Sequence, residues 1–394
     1  MRTIPLPGRL TVGGLAALAL LGTSACSVFQ SNDSGGGSKD GAIAVAASES
    51  SCDVAAESGK AGTLVFDVTN KGSKVTEFEL LAEDGLRILG EVENVGPGLT
   101  RQLVVSAPEG KYQTACIPGM VGKGMRNAFT VEKGAKGAGE ITGVDAKTID
   151  AATAQYASYV KNQSGQLLVD AKAFTAAYTA GDDDKARALY PTARMPWEAV
   201  EPVAESFGDL DPKTDLREAD LEKGQKWTGW HRIEKDLWPP KTGYTALTPA
   251  QRKTYAADLM TNLTTLNTRV KTLDFGVDQI ANGSKGLLDE VAASKITGEE
   301  DIWSHTDLYD FQANVTGAKA GFEVLKPLLQ VKDPELATTL DQRFTAMQTE
   351  LDEYRDGDGF VTYTQVTEAQ RKQLSDAVNA LAEPLSKVTA ALTL

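Results

Sequence analysis

Histidine is nearly missing from this chain: its 394 residues hold two, His231 and His305. Cysteine is almost as scarce, with three residues, Cys26, Cys52 and Cys116, and no CxxC pair. There is no glycine-rich phosphate loop, no HExxH and no GxSxG, which removes the usual signatures of nucleotide enzymes and of most hydrolases. Positive charge is also in short supply, 40 Lys+Arg against 54 Asp+Glu for a formal net charge of −14. Nucleic acid requires a basic footprint, so this balance argues against it as a partner, whereas an acidic chain is compatible with capturing cations. The apolar run from Leu10 to Leu21 is too short to span a bilayer comfortably.

That run nevertheless organises the N-terminus. Arg2 and Arg9 precede it, and Gly22, Thr23, Ser24 and Ala25 follow it, ahead of Cys26. Residues 1–25 read as an export signal, and LGTSAC resembles the lipobox of bacterial lipoproteins, with Thr23 where leucine is usual. Lipidation of Cys26 is the expectation, and ordinary cleavage with a spare thiol is the alternative. Residues 26–41, SVFQSNDSGGGSKDG after the cysteine, form a polar tether with little to bury. The rest of the protein is expected outside the cytoplasmic membrane, anchored to its outer face. In an oxidising compartment Cys52 and Cys116 most often pair as a disulfide.

Residues 42–133 carry short alternating apolar runs, TLVFDVTN, TEFELLA, LTRQLVVSA and NAFTVE, separated by turn signals such as Val95-Gly-Pro-Gly98 and Ile117-Pro-Gly119. This spacing predicts an all-β sandwich, and the order of its parts is that of a cupredoxin. It contains no histidine, so a metal there would have to use Cys52, Cys116, Met120 and acids such as Glu77, Glu79, Glu91 and Glu93. Period-2 spacing puts Glu77 with Glu79, and Glu91 with Glu93, on one face of a strand, where solvated acids are the ordinary explanation. Residues 134–146 are a glycine-rich linker. From 147 to 394 the period changes: Tyr156, Val160, Leu167, Phe174 and Tyr178 lie on one face of a long helix. Helical patterns continue over 183–207, 227–237, 249–273, 277–295, 304–330, 333–355 and 367–391, which predicts an all-α bundle. DGDGF at 356–360 is read as a turn rather than a calcium loop.

The chemistry concentrates in WTGWHRIEKDLW, residues 227–238. His231 and Glu234 are three apart and project together from a helix. Set among Trp227, Trp230 and Trp238 they are desolvated and need compensation, either from a metal or from each other. Glu198, Glu201 and Glu205 form an acidic stripe on another helix, a solvated face or a cation site. His305 opens a further helix, with Ser304 as its N-cap and Asp307 completing a capping box. Bundles build metal sites from inward carboxylates and His/Glu pairs on separate helices. The expected ligands of a single ion are Glu201, His231, Glu234 and His305, with Glu205, Asp307 and Asp310 in reserve. Oxygen-rich coordination with imidazole suits iron, and also accepts zinc or manganese.

EPVAESFGDLDPK, WTGWHRIEKDLW, VAASKITGEED, SHTDLYDFQANVTGAK and YRDGDGF together resemble the imelysin-like, HxxE-motif family in its EfeO-type branch, in which a cupredoxin-like domain precedes the helical one. The resemblance covers nearly all of the chain after the export signal. It implies an extracytoplasmic iron-binding component of an EfeUOB-type uptake system, not an enzyme, working with a membrane iron permease and a haem peroxidase. It maps HxxE onto His231 and Glu234 and completes the site with Glu201 and His305. For the small domain it implies copper or iron held by Cys52, Glu77 and Cys116. Two alternatives remain: a ferroxidase passing electrons to copper in the small domain, and a metallopeptidase, for which HxxE supplies one histidine and no separate base. Many relatives are soluble, so the expected anchor on Cys26 is a departure.

Overall fold

The computed structural model describes residues 41–135, 139–293 and 295–394. The expected export signal, Cys26 and most of the tether lie outside them. Strands fill the chain from Ile43 to Glu132 and helices begin at Ala146. Among the described residues no helix is long and apolar enough to cross a membrane.

The β-rich half consists of two sheets. One orders β2 (Cys52–Val54), β1 (Ile43–Ala47), β4 (Gly62–Asn70) and β7 (Thr100–Ala107), with β1 parallel to β4. The other orders β3 (Ser58–Lys60), β9 (Met125–Glu132), β8 (Gly110–Pro118), β5 (Thr76–Ala82) and β6 (Ile88–Val95). In β4 buried and half-buried residues alternate along the whole strand, so Leu64, Phe66 and Val68 point into a core that they share with Phe78, Leu80, Val92 and Phe129 of the second sheet. The rings of Phe66 and Phe78 are 5.2 Å apart, and those of Phe66 and Phe129 5.5 Å.

Cys52 and Cys116 are joined, with an S–S distance of 2.03 Å, tying β2 to β8. This corrects the metal site expected over Cys52, Glu77 and Cys116: both sulfurs are spent in a covalent bond, and a thiolate ligand for copper is not available there.

In β5, TEFELLA, both faces are closed. Phe78 and Leu80 enter the core, while Glu77 and Glu79, 8% and 7% exposed, face the helical half instead of solvent. The solvated-face reading of these acids fails because another layer covers the sheet. The joint is made by backbone and side-chain hydrogen bonds together. Ile88 N–H donates to Ser206 O at 3.1 Å, Asn282 Nδ2 to Val104 O at 2.9 Å, and Ser106 N–H to Asp278 Oδ2 at 2.8 Å. Gly208, at φ 65°, sits so close to Leu86 that a Cβ there would lie 1.9 Å from the Leu86 carbonyl oxygen.

The helical half starts with α1 (Ala146–Ala180), capped by Asp145 and stopped by Gly181 in the left-handed region. There follow α2 (Asp183–Glu198), α3 (Glu201–Glu205), α4 (Asp211–Thr214), α5 (Trp230–Leu237), α6 (Pro249–Arg269), α7 (Val277–Ala293), α8 (Asp307–Lys332), α9 (Pro334–Asp352), α10 (Glu368–Leu385) and α11 (Val388–Thr393). The helix expected over 183–207 is broken after Glu198, where Pro202 lacks the N–H needed to continue it. DGDGF closes a two-residue hairpin, Arg355–Asp356 against Gly359–Phe360, as a turn should. The core runs through α1, α2, α5, α8 and α10, with Phe174, Tyr190, Trp197, Trp230 and Phe311 buried in it.

Candidate metal centre

Three segments of irregular or short structure meet beside α2. The first is the end of α4 with Asp215, and the second is α5 with His231 and Glu234. The third is the stretch from Lys295 to Asp307, which brings Glu300 and Asp301. Gly229 starts α5 at φ 88°, and a Cβ there would lie 2.0 Å from Thr214 O, so glycine is what lets α5 abut α4 and bring His231 to Asp215. Trp230 anchors α5 in the core against Phe174 and Tyr190, at ring distances of 5.5 and 6.2 Å.

His231 is 1% exposed and has a carboxylate on every side. Nδ1 is 3.0 Å from Glu234 Oε2 and 3.8 Å from Asp301 Oδ1, while Nε2 is 3.2 Å from Asp215 Oδ1 and 3.3 Å from Glu300 Oε1. Burial and the Arg194 guanidinium oppose a charge on the ring, yet its bonds to Asp215, Glu234 and Glu300 raise its pKa well above the ordinary histidine value. Glu234 Oε1 accepts the backbone N–H groups of Trp303 at 3.0 Å and Ser304 at 2.7 Å, which orients the motif acid from the loop side. Burial raises its pKa, with the Asp301 charge adding to the rise and His231 opposing it. Glu300 goes the other way: although burial pushes it up, Lys295 and the bond to His231 hold it down at about 2.

Two buried permanent cations sit inside this acidic cluster, and Arg217 reaches its edge, 3.9 Å from Glu300. Arg194, fully buried, contacts Glu198, Asp215, Glu300 at 3.2 Å, Asp310 at 3.4 Å and Asp301 at 3.9 Å. Lys295 Nζ lies 2.7 Å from Glu198, 2.7 Å from Glu201 and 3.0 Å from Glu290. Asp215 also accepts Trp197 Nε1–H at 2.5 Å, and Asp301 accepts Tyr190 Oη–H at 3.0 Å. The acids outnumber the basic groups, and Asp307 and Asp310 each keep one buried oxygen without a hydrogen-bond partner. Such a site is over-supplied with hard donors and stands to gain from another cation.

Of the expected ligands, the structure brings His231 and Glu234 together and places Glu201 one carboxylate away, through Asp215, which the groups Glu198/Glu201/Asp215 and Asp215/His231/Glu300 share. Among the described residues His305 joins none of these groups. It occupies a turn at φ 59°, with its N–H bonded to Asp301 O and its carbonyl to Tyr363 N–H. The capping box at Ser304 is also corrected. α8 begins after Thr306, Ser304 N–H turns to Glu234, and Asp307 Oδ1 accepts the Asp301 N–H at 3.2 Å. Asp307 and Asp310 lie buried behind Asp301 and Arg194, and Glu205 belongs to a separate group with Glu201 and Glu290. The stripe Glu198, Glu201 and Glu205 is not a solvated face: Glu198 and Glu201 are 0% and 6% exposed.

A second set of acids faces this centre across the joint between the halves. Glu79 and Glu91 are direct cross-strand partners in β5 and β6, and with Glu77 they bring ligand atoms within 4.8 Å of one another. A cleft of about 560 Å³ is lined by Glu77, Glu79, Glu91 and Glu93 on the sheet side and by Glu205 and Asp211 on the helical side. An adjoining space of about 480 Å³ shares Glu205 and Asp211 and continues to Glu201, Asp215, Lys295 and Glu300. Burial, then the neighbouring charges of Glu79, Glu91 and Glu93, raises the Glu77 carboxyl well above its usual range, while burial and Glu79 push Glu91 up to about 7.

The pH dependence follows from the direction of these shifts. A carboxyl with a raised folded pKa holds a proton that the unfolded chain has already released, so stability is full below the ordinary value of 4.5 and falls as pH rises toward 7. The metal-free protein is expected to lose stability between pH 5 and 7, with up to ~1.4 kcal/mol per pH unit for each such proton. Denaturant midpoints across this range should show a shallower slope for Glu91→Gln, and an unchanged slope would remove Glu91 as a source.

The helical half with its buried His/carboxylate centre places the chain in the imelysin family: a family model described as Peptidase_M75, imelysin, matches residues 152–388. Similarity extends beyond that half. The chain is 37% identical over 357 residues to "Iron uptake system component EfeO" of Escherichia coli strain K12, covering 89% of this chain and 92% of the relative. The proteins of the same name from Shigella flexneri and Shigella sonnei strain Ss046 match to the same extent. It is thus an EfeO-type member of the family.

Sequence reasoning missed Asp215, Glu300, Asp301, Arg194 and Lys295. Glu300 and Asp301 stand in VAASKITGEED, and Asp215 lies just beyond EPVAESFGDLDPK. Both stretches carry the family resemblance, which was the one signal pointing to them.

Proposed function

We propose that this protein is the extracytoplasmic iron-binding component of an iron uptake system, capturing iron and delivering it to a membrane permease, with a haem peroxidase as a further partner. The observation that carries this reading is His231 held between four carboxylates, Asp215, Glu234, Glu300 and Asp301, in a cluster with more acids than bases. Nitrogen and oxygen donors of this kind suit iron, and accept manganese or zinc. The names of its relatives, all iron uptake components, support the same choice. We assign His231 and Glu234 as ligands, completed by carboxylates from Asp215, Glu300 or Asp301, with Glu201 on the approach from the cleft. Iron here is cargo, and the protein acts as a carrier rather than a peptidase. Glu234 is held by two backbone N–H groups and by His231, as a fixed ligand is, and is not left free to act as a general base.

The β-rich half is read as cupredoxin-like over 42–133, joined by a linker at 134–146 to the imelysin-like half. Its acids Glu77, Glu79 and Glu91 are hard donors, so a second ion there would be iron and not copper. The whole is tethered to the outer face of the membrane through lipid on Cys26. Anaerobic titration of the full-length protein with Fe(II), followed by elemental analysis, tests the central claim. Tight retention of at least one iron per chain is expected, and a protein that retains no Fe(II), Mn(II) or Zn(II) would overturn it.

A further inference from the structure

We infer that Lys295 is an internal cation which the cargo must displace, and that this exchange sets how readily the centre takes up and gives back its ion. The inference rests on the iron-carrier reading and concerns its regulation. Lys295 is 2% exposed, and its ammonium touches Glu198, Glu201 and Glu290 at once. Glu201 belongs to two sets of acids whose ligand atoms lie within 4.8 Å of one another, Glu198/Glu201/Asp215 on the side of His231 and Glu201/Glu205/Glu290 on the side of the cleft. Lys295 binds members of both, and it lines the same space as Glu205, Asp215 and Glu300. A divalent ion travelling from the cleft to His231 therefore meets a positive charge already seated at the junction.

The two permanent cations of the cluster differ in how they are held. Arg194 projects from within α2 and spreads a planar guanidinium over five acids, a rigid fork that cannot leave without breaking all of them. Lys295 is a point charge on a flexible four-carbon stem, carried by a short turn at Lys295–Thr297. Rotation of that stem offers the ammonium a way out of the carboxylate set that the fork of Arg194 lacks. Arg194 keeps the acids assembled, and Lys295 holds the cargo's place. Unseating the ammonium from its three carboxylates is subtracted from the ion's own binding, which lowers the affinity of the loaded state and favours release.

Replacing the charge while keeping the stem tests this. In Lys295→Met, affinity for Mn(II) should rise by about ten-fold or more and its dissociation should slow in proportion, while Lys295→Arg, which keeps the charge in a form harder to unseat, should bind no more tightly than wild type. If Lys295 merely neutralises acids for folding, Lys295→Met binds Mn(II) no more tightly than wild type, and that result overturns the inference. Should Lys295→Met fail to fold, labelling the wild-type protein with an amine-reactive reagent decides the matter. Mn(II) loading should speed modification of Lys295, and slower or unchanged labelling refutes displacement. A wild-type protein that binds neither Mn(II) nor Fe(II) would instead sink the carrier reading itself.

Discussion

Arg194→Met should cost the metal-free protein about 3–5 kcal/mol, the range for stripping one partner from a buried ion network. Methionine fills a similar volume, so the loss is one of charge and hydrogen bonds. Glu198, Asp215, Glu300, Asp301 and Asp310 would then face one another with His231, Lys295 and, at the edge beside Glu300, Arg217 to offset them. The carboxyls respond by taking up protons, so the variant's stability should recover as pH is lowered, while the wild-type network keeps Asp215 well below the usual carboxylate range: burial opposes this, and Arg194 with His231 overcomes it. Arg194→Lys should rescue little, since a single ammonium cannot replace a fork that spans these acids. Denaturant unfolding of the metal-free proteins, followed by tryptophan fluorescence, measures the loss. A change under about 1 kcal/mol would mean that the acids are neutralised by other means.

Glu234→Gln is the complementary experiment, with a large effect on binding and a small one on folding. Glutamine keeps a carbonyl oxygen for the N–H groups of Trp303 and Ser304 and loses the charge beside His231. In a site already rich in negative charge, losing one carboxylate relaxes the empty state while weakening the loaded one. Affinity for Fe(II) or Mn(II) is expected to drop by about 100-fold or more, beyond the usual effect of a supporting residue. Glu79→Gln, across the cleft on β5, should leave that affinity unchanged. If both variants bind like wild type, His231 and Glu234 are not the ligands. If Glu79→Gln alone weakens binding, the principal site lies on the sheet.

The split of the chain into strands and then helices was legible because the two periods differ and the turn residues fall between them. The pairing of His231 with Glu234 was legible for the same reason: three residues on a helix is a distance. Glu300 and Asp301 were not, since they sit on a turn-rich stretch whose course is decided by what it packs against, and no period marks them. His305, singled out for its rarity, joins none of the candidate ligand groups among the described residues and stands at a left-handed backbone position that no sequence period marks. Glu77 and Glu79 looked solvated because a strand's pattern reveals which residues share a face and says nothing about what later covers it. The disulfide needed no more than two cysteines and an export signal to be expected.

Gly208 and Leu86 meet through main-chain atoms, and Ile88 bonds to Ser206 beside them. At Gly208 the contact cannot be tuned by exchanging one side chain for another, because every residue other than glycine brings the same Cβ to the same carbonyl. At that point the approach of the two halves is set by the bare thickness of two backbones, while the side chains of Asn94, Asn282 and Asp278 bridge them elsewhere. Variation can change which ions the cleft attracts, through the residues that line it, far more easily than it can change how wide the cleft is.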